Sequence, residues 1–87
     1  MNNLQVTIYT TTTCPYCRML KTYLQEKGIN FNEKLVDQDD VAREEMMAKS
    51  KGYLGVPFMV VKKDTGEEDS VIGFDKLRAD QVLGIGQ

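Results

Sequence analysis

The chain has no histidine and no tryptophan, and its 87 residues include only two cysteines and two prolines. Without histidine, every Cys–His nucleophile pair and every Cys/His zinc arrangement is excluded. An all-thiolate zinc or iron–sulfur centre takes four ligands as a rule, and two cysteines supply half of one. No apolar run approaches the ~20 residues that a membrane-spanning helix needs. Met1-Asn2-Asn3 lacks the basic and apolar parts of a secretory signal. Positive charge is not in excess either. Eleven Lys and Arg face thirteen Asp and Glu, for a net charge of −2, and the two signs are interleaved. No phosphate-tracking stripe forms, so neither nucleic acid nor membrane is expected as a partner. Two cysteines without an export signal point to a reducing, cytoplasmic setting, where a close cysteine pair is more often catalytic or metal-binding than structural.

What is present is enough for a small core. Hydrophobic residues make up 41% and charged residues 28%, a balance that argues against disorder. One domain over residues 1–87 is expected, with no repeat or linker, and no exposed apolar seam in the sequence asks for a dimer, so a monomer is expected.

Alternation of Leu4, Val6 and Ile8 with polar neighbours predicts a first strand over residues 4–9, followed by a polar loop of threonines, Thr10 to Thr13. Pro15 suits the first position of a helix running to about Lys27, with Cys17, Leu20, Tyr23 and Leu24 on its apolar side and Gly28 as its stop. A second strand is expected over 31–36. Asp37 to Asp40 offers acidic caps for a second helix over about 41–51, with Ala42, Met46 and Met47 inward and Gly52 ending it. The apolar run 58–61 predicts a central third strand, and Asp64-Thr65-Gly66 a hairpin turn into a fourth strand over about 69–72. A third helix over about 75–83 places Leu77, Val82 and Leu83 inward. The order β-α-β-α-β-β-α fits an α/β domain with a four-stranded mixed sheet covered by helices on both faces, three layers in all.

Cys14-Pro15-Tyr16-Cys17 stands between the first strand and the first helix. Two thiols at this spacing on a helix start can close a small reversible disulfide. Cys14 at the N-cap would receive the N–H groups of Tyr16 and Cys17 on its sulfur. The helix dipole is worth about 0.3–2 kcal/mol, roughly one pKa unit, and direct N–H···S bonds would add to it. Cys17, one turn inside, is more buried, and burial raises a thiol pKa. The pair therefore divides into an attacking Cys14 and a resolving Cys17. A half-site for a metal and an inert pair are the alternatives; no metal is expected.

Two further features accompany the pair. Val56-Pro57 forces extended backbone before the proline, and a cis bond there would turn the Val56 N–H and C=O outward to pair with an extended thiol peptide. An ordinary trans proline opening a strand is the plain alternative. Gly73-Phe74-Asp75 puts a glycine at a strand end and an acid at a helix start, where free N–H groups receive a carboxylate and Asp75 an ammonium. An aspartate N-cap is the plain alternative here.

Taken together, these motifs resemble the glutaredoxin family of the thioredoxin fold over nearly the whole chain. Cys14-Pro15-Tyr16-Cys17 is similar to the active-site sequence of its dithiol members, Gly55-Val56-Pro57 to its Thr-Val-Pro, and Ile72-Gly73-Phe74-Asp75 to its Gly-Gly-x-Asp. The resemblance implies a glutathione-dependent thiol–disulfide oxidoreductase that reduces protein disulfides and glutathione mixed disulfides. Glutathione would be a consumed co-substrate, with no bound cofactor. It further implies that Cys14 is the nucleophile and Cys17 the resolving thiol, that Pro57 is cis, that Tyr16 lines the glutathione groove, and that Val56 pairs with the tripeptide by its backbone. Gly73, Phe74 and Asp75 would hold the γ-glutamyl end. Two positions depart from the pattern. Thr11 stands where many relatives place a cation for the glycine carboxylate, with Lys49 or Lys51 as possible substitutes, and Ile72 replaces the first glycine of Gly-Gly-x-Asp. Two other functions are open to the same motifs: an electron donor served by thioredoxin reductase, for example to ribonucleotide reductase, and a non-enzymatic [2Fe–2S] carrier.

Overall fold

The structure, a computed structural model, describes residues 4–52 and 55–84. The reading of Met1-Asn2-Asn3 lies outside the described residues. Seven elements follow in order: β1 (Gln5–Thr10), α1 (Pro15–Glu26), β2 (Asn32–Leu35), α2 (Asp40–Ser50), β3 (Phe58–Lys62), β4 (Glu68–Ile72) and α3 (Lys76–Leu83). The sheet runs β2-β1-β3-β4, with β2 parallel to β1 and the other two pairings antiparallel. It is the mixed four-stranded sheet expected from the sequence, and β1 shares the centre with β3.

Strand alternation sorts the core into two layers. Val6 and Ile8 of β1, Met59 and Val61 of β3, and Val71 of β4 face α1 and α3, where Leu20, Leu24, Ala79, Val82 and Leu83 meet them. The residues between, Tyr9, Phe58 and Val60, face α2 and pack on Ala42 and Met46. A one-residue slip of either central strand would exchange these two sets, so burial on both faces fixes the register.

Helix ends follow local chemistry. Asp39 caps α2, accepting from the N–H of Val41 at 3.0 Å and of Ala42 at 3.3 Å. Asp75 caps α3, accepting from Arg78 N–H at 3.1 Å. At the end of α2, Lys51 itself takes a left-handed conformation with φ of 59°, and Gly52 follows at 93°. The stop expected at Gly52 thus begins one residue earlier.

Two inward assignments are corrected. Leu77 is 78% exposed, and Ala79 takes the buried position of α3 with Val82 and Leu83. Residues 79, 82 and 83 lie at the i, i+3, i+4 spacing of one face; Leu77 lies about 200° round from Ala79. Met47 is displaced about 100° from the fully buried Met46 and is exposed at the rim of α2. Among the described residues, no helix is long and apolar enough to cross a membrane.

Candidate functional site at the thiol end of the sheet

Topology brings the three motifs to one end of the sheet. β1 leaves the sheet at Thr10 and leads to Cys14. β3 runs antiparallel to β1 and enters beside Tyr9 with Phe58, directly after Pro57. β4 runs antiparallel to β3 and leaves opposite Phe58 at Ile72, directly before Gly73. The ladder continues one step further, because Gly73 N–H donates to Pro57 C=O at 2.8 Å. The loop carrying Val56 and the loop carrying Phe74 and Asp75 are therefore joined by the sheet's own hydrogen bonding.

Cys14 is the N-cap of α1, with extended backbone (φ −104°, ψ 109°) and Pro15 at the first helical position. Its sulfur accepts from Cys17 N–H at 3.1 Å. Two N–H donors, Tyr16 and Cys17, were expected from the cap geometry, and Cys17 is the donor observed among the described residues. Cys14 and Cys17 are joined as a disulfide with Cα atoms 5.2 Å apart. Cys17 is 1% exposed, whereas Cys14 is only half-buried. An external thiol therefore meets the Cys14 sulfur first. Tyr16, between them, is 62% exposed and turns its ring to solvent.

The Val56–Pro57 peptide is cis. Pro57 is fully buried, and half-buried Val56 packs against the α2-side core. No backbone hydrogen-bond partner of Val56 appears among the described residues. Gly73 has φ of +77°, a conformation that costs a side-chain-bearing residue dearly. A Cβ there would meet nothing within 4 Å, so the glycine answers to the turn and leaves open space above it. Phe74 stands edge-on to Tyr23 with ring centroids 6.1 Å apart. Asp75 uses one carboxylate oxygen, Oδ1, to cap α3.

Sequence reading missed the contacts that hold this end together. The Asp37 carboxylate accepts from Thr12 twice, from its hydroxyl at 2.7 Å and its N–H at 3.1 Å, and so ties the loop before Cys14 to the loop before α2. Those bonds, the hydroxyl first, hold the Asp37 carboxyl below its usual range. The Tyr23 hydroxyl donates to Asp80, linking α1 to α3. This hydrogen bond, then burial, then the Asp80 charge push the Tyr23 phenol up to about 12. Each partner is distant in sequence, and neither pairing leaves a local signal.

Under the thiol-bearing helix, Glu33 of β2 accepts from the Thr10 hydroxyl at 2.7 Å and pairs with Lys21 at 2.9 Å. Burial pushes the Glu33 carboxyl up, but the Lys21 and Thr10 hydrogen bonds outweigh it and leave it below the ordinary value. A carboxyl lowered on folding stabilises the native state above its unfolded pKa, and that contribution disappears as pH falls through the folded pKa. The stability difference between the native protein and Glu33→Gln, from urea unfolding, is therefore expected to be present at neutral pH and to shrink on acidification. A gap that stays constant into acid would remove the ion pair from this account. Lys49 is held by Glu68 at 2.9 Å, which engages one of the two lysines considered as substitutes for a cation at Thr11.

Comparison with known proteins agrees with this arrangement. The sequence profile described as Glutaredoxin matches residues 6–65. The chain is 36% identical over 78 residues to an uncharacterized glutaredoxin-like 8.6 kDa protein of the rubredoxin operon of Clostridium pasteurianum, covering 90% of this chain and 96% of that protein. It is 40% identical over 72 residues to a probable glutaredoxin of Synechocystis sp., covering 82% of this chain and 66% of that protein. Among solved structures, the thioredoxin-like protein BC3987 superposes with a TM-score of 0.75 at 28% identity, covering 91% of this chain and all of that one. With a thioredoxin-like fold, a cysteine pair at disulfide distance on a helix N-terminus and these relatives, the chain belongs to the glutaredoxin family of thiol–disulfide oxidoreductases.

Proposed function

We propose that the protein is a glutathione-dependent oxidoreductase that reduces glutathione mixed disulfides and protein disulfides through Cys14 and Cys17, acting as a cytoplasmic monomer with glutathione as co-substrate and no bound cofactor. The observation that carries this reading is the joining of the second and third motifs beside the first. The Gly73–Pro57 hydrogen bond ties the Val56 backbone to the N-terminus of α3 at the end of the sheet where Cys14 lies.

In the proposed cycle, the Cys14 thiolate attacks the glutathione sulfur of a mixed disulfide. The new bond is Cys14–S–S–glutathione, the old S–S bond breaks, and the substrate leaves as a thiolate that takes up a proton. A second glutathione, as thiolate, attacks the glutathione sulfur on Cys14, releasing oxidised glutathione and regenerating the Cys14 thiolate. Two glutathione electrons thus reduce one disulfide. With a protein disulfide, Cys14 attacks first. Cys17 then attacks the Cys14 sulfur, releasing the protein dithiol and closing the bridge that glutathione later opens. The Cys17 N–H that points at the Cys14 sulfur stabilises negative charge there whenever that sulfur is the attacking or leaving thiolate.

Glutathione would lie as an added strand on the Val56 backbone, with its γ-glutamyl carboxylate on the α3 N-terminus and its ammonium on Asp75. Phe74 and Gly73 would shape that end, and Tyr16 the outer wall. Asp75→Ala is expected to raise KM for glutathione about tenfold, the cost of one charge-assisted contact, with kcat little changed. Steady-state assays at varied glutathione check this, and an unchanged KM would take Asp75 out of the binding site.

A second reading has one observation in its favour. Thr11 carries no charge, and Lys49 is already paired with Glu68, which leaves Lys51 alone of the cations considered for the glycine carboxylate. That loss favours reduction by thioredoxin reductase over glutathione. Reduction of a glutathione mixed disulfide is to be measured with glutathione and its reductase, beside thioredoxin reductase as the electron source. Turnover with the first system and not the second is the expected result, and the converse would transfer the assignment.

A further inference from the structure

A groove of about 460 Å³ leads away from the thiols along α1. Its helical wall is made by residues 15, 18, 19, 22, 23 and 26, spaced three and four apart on one face. At ~1.5 Å per residue that wall is about 16 Å long. It begins at Pro15, next to Cys14 in the chain, and Phe74 and Lys76 form the opposite side. Val56, Pro57, Gly73 and Asp75 are not among its walls, so it is largely separate from the place proposed for glutathione.

Two properties say what would lie in it. First, its surface is mainly apolar: Met19 is 49% exposed, and the Tyr23 and Phe74 rings meet edge-on beside it. Second, its charge runs against that of the chain, whose net charge is −2. Arg18 and Lys76 line it, with the Lys76 ammonium 5.5 Å from the Tyr23 ring centre and 5.9 Å from that of Phe74. A third cation, Lys27, stands 5.5 Å from the Tyr23 ring. None of the three forms an ion pair among the described residues. Glu26 is the single carboxylate of the lining, and the nearby Asp80 carboxylate is taken by the Tyr23 hydroxyl.

We infer that this groove docks the polypeptide of a protein substrate, seating an apolar side chain on Met19 and Tyr23 and a neighbouring acidic side chain on Arg18 and Lys76. The inference rests on the disulfide-exchange function proposed above and adds the class of partner. Apolar contact supplies hold, and the cations select sign and speed encounter. A substrate too small to reach past Pro15 gains nothing from the groove.

Two peptides of equal length test it, each with one cysteine as its mixed disulfide with glutathione. One carries Leu and Glu beside the cysteine, the other Ser and Lys. For the native protein, kcat/KM is expected to favour the Leu–Glu peptide by at least about tenfold, with the ratio falling as salt rises. Met19→Glu should bring the ratio to within about twofold of unity while leaving the small mixed disulfide of free cysteine and glutathione unaffected, and Lys76→Gln, at the first position of α3, should lower the same ratio, in which a change in glutathione handling common to both peptides cancels. Both positions are exposed, and thermal unfolding is to check that the variants remain folded. Equal rates for the two peptides in the native protein would overturn the proposal, as would a Met19→Glu variant that loses the small disulfide equally. A dimer in sedimentation that Met19→Glu dissolves would assign the groove to a second copy and overturn it too. Should glutathione not support turnover at all, docking is read directly. Titration with the Leu–Glu peptide carrying Ser for Cys should shift the NMR signals of Met19, Thr22 and Lys76, and unmoved signals would refute the inference.

Discussion

Cys14→Ser is expected to abolish turnover of every disulfide substrate, a loss of at least about a thousandfold, because the other thiol of the chain, Cys17, is buried away from an incoming disulfide. Cys17→Ser should behave differently. It keeps half-buried Cys14 at the helix N-terminus, and it keeps the backbone N–H that donates to the Cys14 sulfur, since a serine at position 17 retains its amide. Removal of glutathione from mixed disulfides should therefore survive, while reduction of protein disulfides falls because the bridge cannot close. Paired assays on a glutathionylated peptide and on a protein disulfide separate the two outcomes. Appreciable activity from Cys14→Ser would end the scheme. Equal loss of both activities in Cys17→Ser would show that the buried thiol acts before the resolving step. The asymmetry is one of access, since Cys17 is 1% exposed and cannot be the point of entry.

The second large effect is on stability. Phe58 is 1% exposed, lies in the α2-side core against Tyr9 and directly follows the cis Pro57. Phe58→Ala is expected to cost about 3–5 kcal/mol. Small domains have about 5–15 kcal/mol in total, so the variant stands near the margin, and Tm should fall by on the order of 10–40 °C. Leu77→Ala is the matched control. Its side chain is 78% exposed, and its expected change lies within about 0.5 kcal/mol. Urea and thermal unfolding of the two variants together test the division between buried and exposed positions. Comparable losses would contradict the packing described above.

The same pair of residues shows what the sequence could and could not disclose. Phe58 was legible because it opens an unbroken apolar run, and such a run has one common explanation, a strand covered on both faces. Leu77 misled because hydropathy rewards large side chains, whereas the buried face of α3 is made by Ala79 with Val82 and Leu83. Helix starts were written in local chemistry, with Cys14, Asp39 and Asp75 each standing at the N-cap. The left-handed Lys51 was not, because lysine gives no signal for positive φ and only the following glycine did. The cysteine pair, Val56-Pro57 and Gly73-Phe74-Asp75 were each visible as short motifs. Their location at one end of the sheet was foreseeable only through strand order, since the antiparallel ladders of β3 with β1 and β4 bring the segments before residue 14, around 57 and before 73 to the same end. Nothing in a linear reading joins Tyr23 to Asp80 or Thr12 to Asp37.

Strand direction also decides where the molecule can be altered freely. The turn from Lys63 to Glu67, closed by hydrogen bonds of 2.8 and 2.9 Å, caps the β3–β4 hairpin at the pole of the sheet opposite the thiols. A fluorophore or a grafted recognition sequence attached at Thr65 would sit a full strand length from the chemistry. That pole is the natural handle for tethering the protein to a sensor or a surface without disturbing electron exchange.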